Sequence, residues 1–227
     1  MFVGNSNCFI MMYHHVDATD PFRALRPFVV SPEVFRHQLK SIAHGNHIVG
    51  TVSDVLDPSC TAACNTAITF DDCPARLLDT ALPELESRGW KATFYVPARN
   101  IGGTNDWDTA RGIPSFRVMN AGQLRGLVNQ GHEIGAHGLT HRNLRQCTYA
   151  EALSEMHDAR HQLEQMLGVR VKTFAYPYGE IPDFYADLCH ESGYESACSI
   201  FSIVALQPET DLPSVGFWPP SVIRGCG

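Results

Sequence analysis

The chain has 227 residues, which at about 150 residues per domain suits one domain better than two. Hydrophobic residues make up 44% and charged residues 18%, ordinary globular usage that excludes a wholly disordered, collagenous or coiled-coil chain and predicts a sizeable core. A formal charge of −7 gives no broad positive surface for nucleic acid or an anionic membrane, so a neutral or small partner fits better.

Cys8 to Tyr13 is the first apolar run and is strand-sized; no run approaches the roughly 18 residues of a membrane span, so a soluble chain with no transmembrane segment is expected. The first basic residue is Arg23, so the N-terminus lacks the basic region of a secretory leader. That pattern predicts a cytoplasmic protein, or one whose leader has been removed. Ser31 and Pro32 open a helix, Ser as N-cap and Pro as first helical residue, that ends near Gly45. His47 to Gly50 reads as a weak strand before a short helix capped by Thr51. Thr66 to Phe70 is a stronger strand, followed by one helix from Pro74 to Arg88 with Gly89 behind it.

Lys91 to Val96 alternates β-branched and aromatic residues, and a loop of about twenty residues follows, long enough to suggest a functional role. Asn120 caps a helix that stops at Gly131, and His132 to Ala136 is the next strand. Thr148 and Glu151 form a capping box for a helix running to Gly168. Arg170 to Tyr176 reads as a strand, Pro182 to Ser192 as a helix with Gly193 behind it, and Glu195 to Ser199 as the final strand. Strands alternating with helices predict a parallel α/β architecture, and a single barrel-like domain over the whole chain is the expectation.

In such folds catalytic groups sit at the carboxyl ends of strands. Asp71 and Asp72 follow the strand ending at Phe70, His137 follows the one ending at Ala136 with His141 four residues on, Tyr176 to Gly179 follow a third, and His14 and His15 follow the first. Gly135 and Gly138 favour a loop over a helix around the two histidines. One Asp and two His are ligands that a divalent zinc ion accepts while keeping a position open for water, and the spare carboxylate can take a proton as general base. The constellation describes a metal-assisted hydrolase. Read singly, the aspartates serve equally well as a turn and cap before the next helix. Cys60, Cys64 and Cys73 have a loose metal-like spacing that more often belongs to structural cysteines, and eight cysteines in all are too dilute for a disulfide scaffold. His157 and His161, spaced i,i+4, read as a solvated helix face. The nucleobase deaminases are set aside because no H-x-E with a downstream P-C-x-x-C is present.

Three segments in order carry a resemblance: Thr69-Phe70-Asp71-Asp72, Gly131 to His141, and Phe174-Ala175-Tyr176-Pro177-Tyr178-Gly179. With Met12 to Val16 and Ala92 to Val96, they make the chain resemble, over about residues 12–199, the polysaccharide deacetylases (carbohydrate esterase family four, the NodB-homology domain). The resemblance implies a distorted (β/α)7-type barrel and a divalent metal, usually zinc, held by Asp72, His137 and His141. It implies Asp71 as general base, an N-acetylated carbohydrate as substrate, and Pro177 and Tyr178 lining the groove with the Tyr178 backbone N–H on the oxyanion. Trp107, in the long loop, is a candidate for sugar stacking or for loop packing.

The departures are specific. Ala175 stands where many members carry an Arg that steadies the base, and Cys73 where a Gly usually follows the aspartates. The late Leu-x-His motif that supplies the general acid has no counterpart, since the last histidine is His190 inside a predicted helix and the tail 200–227 is His-free and Pro-rich. The C-terminal part is therefore expected to be incomplete, although Trp218 between prolines could be the remnant of a motif. His14 or His15, with His14 preferred, is the candidate acid. A carbohydrate-binding relative without turnover and a hydrolase of another amide are the alternative readings.

Overall fold

Short apolar runs become strands and capped amphipathic segments become helices, as the sequence predicts, in a computed structural model that describes residues 8–18, 28–57, 59, 60, 62–199, 203–205 and 216–218. In chain order these are β1 (Phe9–Tyr13), β2 (His15–Val16), β3 (Val29–Val30), α1 (Pro32–His44), β4 (Val49–Gly50), α2 (Val52–Leu56) and β5 (Thr66–Phe70). There follow α3 (Leu77–Thr80), α4 (Leu82–Glu86), β6 (Thr93–Val96), α5 (Ala121–Asn129), β7 (Glu133–Ala136) and α6 (Tyr149–Leu167). The last are β8 (Thr173–Ala175), α7 (Tyr185–Ser192), β9 (Ser196–Cys198), β10 (Ile203–Ala205) and β11 (Gly216–Trp218). No helix of the described residues is long and apolar enough to cross a membrane.

The predicted caps are in place. Ser31 Oγ accepts from the Val34 amide at 3.2 Å, and Thr51/Asp54, Asn120/Gln123 and Thr148/Glu151 each form a reciprocal capping box. One expectation is corrected: the single helix over 74–88 is two short ones, α3 and α4, meeting at Ala81. Pro83 has no N–H to offer the Asp79 carbonyl and its ring crowds that oxygen, so one continuous helix cannot pass through it.

The main sheet has nine strands with the path β10-β9-β8-β7-β6-β5-β1-β11. All pairings are parallel except β9 with β10. β1 pairs with β5 along its whole length, while β4 and β6 share the other edge of β5, opposite Thr66–Ala67 and Thr69–Phe70 respectively. The sheet curls into a half-barrel with helices packed against it. Among the described strands no pairing joins β10 to β11, so the barrel stays open. The tail, expected to be incomplete, supplies β10 at one edge of the sheet and β11 beside β1 at the other, with Trp218 in register with Met11.

Period-two alternation sorts the side chains onto two faces. Met11, Tyr13, Ile68, Phe70, Phe94, Ile134 and Phe174 meet the helices in the larger core. Ile10, Ala67, Tyr95, Ala175 and Cys198 meet inside the curl, with Val52 from α2. Gly135 also faces inward: a Cβ there would stand 2.4 Å from Tyr95 Cε1, so this position admits no side chain.

Candidate metal and active site

Parallel strands deliver their carboxyl ends to the same side, and four of them converge here. Alternation along β5 carries Asp71 to the inner face, where its amide donates to the Tyr13 carbonyl at 2.8 Å. The chain then reverses through two left-handed residues, Asp72 at φ +63° and Cys73 at φ +48°. β7 continues directly into His137, and Gly138 at φ +80° turns the chain so that His141, itself at φ +61°, points back at it.

Asp72 Oδ1 lies 3.1 Å from His141 Nε2 and 3.6 Å from His137 Nε2, buried and without a well-directed hydrogen bond. One ligand atom from each of Asp72, His137 and His141 falls within 4.8 Å of the others, and this is the only such cluster among the described residues. His137 Nδ1 makes a 2.8 Å hydrogen bond to the Ala175 carbonyl, so Nδ1 carries the proton and Nε2 presents a lone pair. Burial, and then the neighbouring His141, push the His137 imidazole down to about 3, which keeps it neutral. Burial would raise the Asp72 carboxyl, but His141 beside it outweighs burial and holds it below the usual carboxylate range. A carboxylate oxygen with no hydrogen bond and a neutral imidazole with its second nitrogen anchored are what a divalent cation needs, and these residues fit one.

Asp71 lies beside this trio, and burial followed by the Asp72 charge raises its carboxyl well above the ordinary value. Its side chain makes no hydrogen bond among the described residues; Ala175, at the position of the missing Arg, turns inward and gives only its carbonyl, to His137. A cavity of about 390 Å³ opens above, lined among others by His14, Asp71, Asp72, His137, His141 and Tyr178. The sequence-predicted residues are thus brought together, His14 included. His14 leans on Phe28 with centroids 4.9 Å apart, and burial lowers its pKa while Asp72 and Asp108 act in the opposite direction. His15 also lines this cavity, its ring edge-on to Phe116, and burial and His14 take it to about 4.

Pro177 is buried under the turn, and Tyr178 is left-handed at φ +62° with an amide that donates to no acceptor among the described residues. The Tyr178 ring stands edge-on to His141, under the Arg111 guanidinium at 5.0 Å. Trp107 lies flat on His141, centroids 4.6 Å apart and planes 23° apart, so one face of its indole is already covered. The Cys73 thiol turns away and donates to the Tyr95 carbonyl at 3.2 Å, clear of the ligand atoms. Cys60 and Cys64 are half-buried in the loop before β5 and join no metal cluster with it among the described residues. His157 and His161 sit on the outer face of α6, as expected.

A family model described as polysaccharide deacetylase matches residues 59–197, more than half of the chain and all of the ligand trio. The chain belongs to the polysaccharide deacetylase family. It is 32% identical over 126 residues to a probable peptidoglycan-N-acetylglucosamine deacetylase of Arthroderma benhamiae, covering 56% of this chain and 25% of that one. It is 30% identical over 120 residues to the putative polysaccharide deacetylase YheN of Bacillus subtilis, covering 52% of this chain and 37% of that one. The chain therefore spans about a quarter to two fifths of these curated relatives. Among solved structures it resembles the Streptococcus pyogenes deacetylase PplD in complex with acetate, at a TM-score of 0.73 and 20% identity, covering 94% of this chain and 95% of that one. It also resembles IcaB from Ammonifex degensii, at a TM-score of 0.76 and 17% identity, covering 96% and 94%. At those identities the structural likeness speaks for the fold, the half-barrel of this family.

Some residues at the site escaped the sequence reading. Arg111 and Phe116 come from the long loop, whose length was the only signal. Glu155 on α6 had a clearer one: it falls on the apolar stripe of Ala152, Met156, Ala159 and Leu163, where a charge is out of place.

Proposed function

We propose that this chain is a metal-dependent deacetylase that hydrolyses the acetamide of an N-acetylated amino-sugar chain, releasing acetate and leaving a free amine. Asp72, His137 and His141 would hold the cation, and a set of one oxygen and two imidazole nitrogens suits zinc best. When bound, the metal supplies Lewis acidity, drawing a water towards ionisation at neutral pH and polarising the amide carbonyl. The observation that carries the reading is the buried Asp72 oxygen facing two imidazole nitrogens beside a second carboxylate at the floor of one cavity.

Asp71 takes the proton of the attacking water. Its burial beside Asp72 raises its proton affinity above that of an ordinary carboxylate, the direction a general base requires. The Tyr178 amide, uncommitted to any other acceptor, donates to the oxygen that gains charge as the carbonyl carbon becomes tetrahedral. His14, which lines the same cavity, gives its proton to the departing nitrogen as the C–N bond breaks. Two depressions flank the cavity and suit a chain longer than one sugar. One, of about 430 Å³, shares His15 and Phe116 with it; the other, of about 770 Å³, shares Arg111, His141 and Tyr178.

The test combines metal analysis with acetate release from chitooligosaccharides and peptidoglycan, comparing the wild type with Asp71→Asn. Stoichiometric metal with release that falls at least about 100-fold in the variant is expected. Bound metal without Asp71-dependent release would leave a carbohydrate-binding protein in place of an enzyme.

A further inference from the structure

The turn that carries the second histidine is held by something other than its own conformational preference. Gly138 is at φ +80° and His141 at φ +61°. His137 is anchored through Nδ1 to the Ala175 carbonyl, whereas His141 Nδ1 is buried with no hydrogen-bond partner. A metal-ligating imidazole without that anchor needs its orientation fixed by other contacts.

Glu155 reaches this turn from α6 and is only 6% exposed. Both carboxylate oxygens accept from Thr140, the residue immediately before His141: Oε2 from the amide N–H at 2.9 Å and Oε1 from the hydroxyl. Oε2 also lies 3.2 Å from where a Cβ on Gly138 would stand, so the carboxylate packs tightly against the inside of the turn, whose φ of +80° at Gly138 itself favours glycine. The outer side is pinned as well, with the Gly138 and Leu139 carbonyls accepting from the amides of Ala98 and Arg99 at 3.0 and 2.8 Å. Burying a carboxylate is costly, and here both its oxygens are committed to a single residue of this turn.

We propose that Glu155 is a positioning residue of the metal centre: acting through Thr140, it holds the Gly138–His141 turn in the left-handed form that presents His141 Nε2 to Asp72. The inference rests on reading Asp72, His137 and His141 as metal ligands. It makes a distinction a general packing role does not. Glutamine at this position can still accept the Thr140 amide through its carbonyl and donate its NH₂ to the hydroxyl, which turns to accept, so the conservative variant restores the clamp.

The experiment uses the whole chain and measures zinc affinity by competition with a chelating dye, together with the visible spectrum of the cobalt-loaded protein. Glu155→Ala is expected to bind zinc about 10- to 100-fold more weakly, with an altered cobalt spectrum. Glu155→Gln is expected to stay within about threefold of the wild type, with the wild-type spectrum. If Glu155→Ala does not fold, Thr140→Val, which deletes only the hydroxyl, is expected to weaken zinc several-fold. Zinc affinity within about twofold of wild type and an unchanged cobalt spectrum in folded Glu155→Ala, or failing that in Thr140→Val, overturns the proposal. A Glu155→Gln variant as impaired as Glu155→Ala overturns it in favour of a purely electrostatic role. A wild-type chain that takes up neither ion defeats the ligand reading first and this inference with it.

Discussion

Replacing Gly135 by alanine tests how the inner face of the half-barrel supports the site. The added methyl would stand 2.4 and 2.5 Å from Tyr95 Cε1 and Cδ1 and 2.7 Å from Thr173 Oγ1, against ordinary contacts of 3.4 Å and more. Neither neighbour is free to yield. Tyr95 is 1% exposed with its hydroxyl 3.3 Å from Cys198 Sγ, and Thr173 Oγ1 faces Glu133. Overpacking of this kind costs about 1 to 3 kcal/mol, and three simultaneous overlaps against fixed partners place Gly135→Ala at about 3 kcal/mol. Because His137 follows two residues later on the same face, the strain should also weaken metal binding. Urea unfolding of the metal-free protein measures the cost, and the cycle with Tyr95→Ala assigns it: removing the ring should recover about 1 to 2 kcal/mol of the penalty as coupling. A cost below about 1 kcal/mol, or the same cost in both backgrounds, would refute the claim that the ring and the glycine are fitted to each other.

Four further outcomes are expected. His14→Ala should lower kcat by about 100-fold or more while zinc affinity stays near wild type, and a loss under about threefold removes it as the acid. Tyr178→Gly keeps the backbone amide and suits φ +62°, so acetate release should survive within about tenfold if the amide is the working group, whereas Tyr178→Pro, which cannot reach that φ, should abolish it. Trp107→Ala uncovers His141 and should weaken zinc about tenfold; an effect confined to KM would place the indole in sugar binding instead. His132 is buried, with Nδ1 accepting the Ala92 amide, and burial and then Lys91 push it down to about 4. The unfolded chain therefore binds more protons between pH 6.5 and 4, and up to about 3 kcal/mol of stability, fully present above 6.5, is lost as pH falls through that window. His132→Gln should flatten the slope in pH-dependent urea unfolding.

What the sequence discloses about this molecule follows from the range of the interactions involved. Caps are local, so Ser31, Thr51, Asn120 and Thr148 were legible as helix starts, and buried runs such as Thr66–Phe70 were legible as strands. The two-residue strands His15–Val16 and Val29–Val30, and the tail strands Ile203–Ala205 and Gly216–Trp218, exist only because a distant segment offers an open edge, and no periodicity announces them. The break at Pro83 is a local signal that the reading of one helix over 74–88 passed over. At the site, the strand-end rule found Asp71, Asp72, His137, His141, Tyr178 and His14. It was blind to Glu155, Arg111 and Phe116, which arrive from a helix flank and a long loop through tertiary packing. Trp107 shows the middle case: its loop marked it as functional, yet only the fold reveals the ring against His141.

The strain in the backbone and the chemistry of the site have the same address. Of the five non-glycine residues at positive φ among those described, four are Asp72, Cys73, His141 and Tyr178. Each left-handed residue costs about 1 to 2 kcal/mol, so the four together store about 4 to 8 kcal/mol, a large share of the 5 to 15 kcal/mol by which a domain is usually stable. Such a cost persists only where the surroundings over-determine the conformation. Here they do: β5 is buried along its whole length beneath Asp72, the Cys73 thiol is tied to the Tyr95 carbonyl, Glu155 fills the turn before His141, and buried Pro177 precedes Tyr178. Three of the four turn a chemical group across the cavity that an extended strand would have sent elsewhere: the Asp72 carboxylate, the His141 imidazole and the Tyr178 amide. The rigid half-barrel is thus what allows three strand ends to aim at one point, and relaxing any of the turns should gain stability while losing the geometry the site requires.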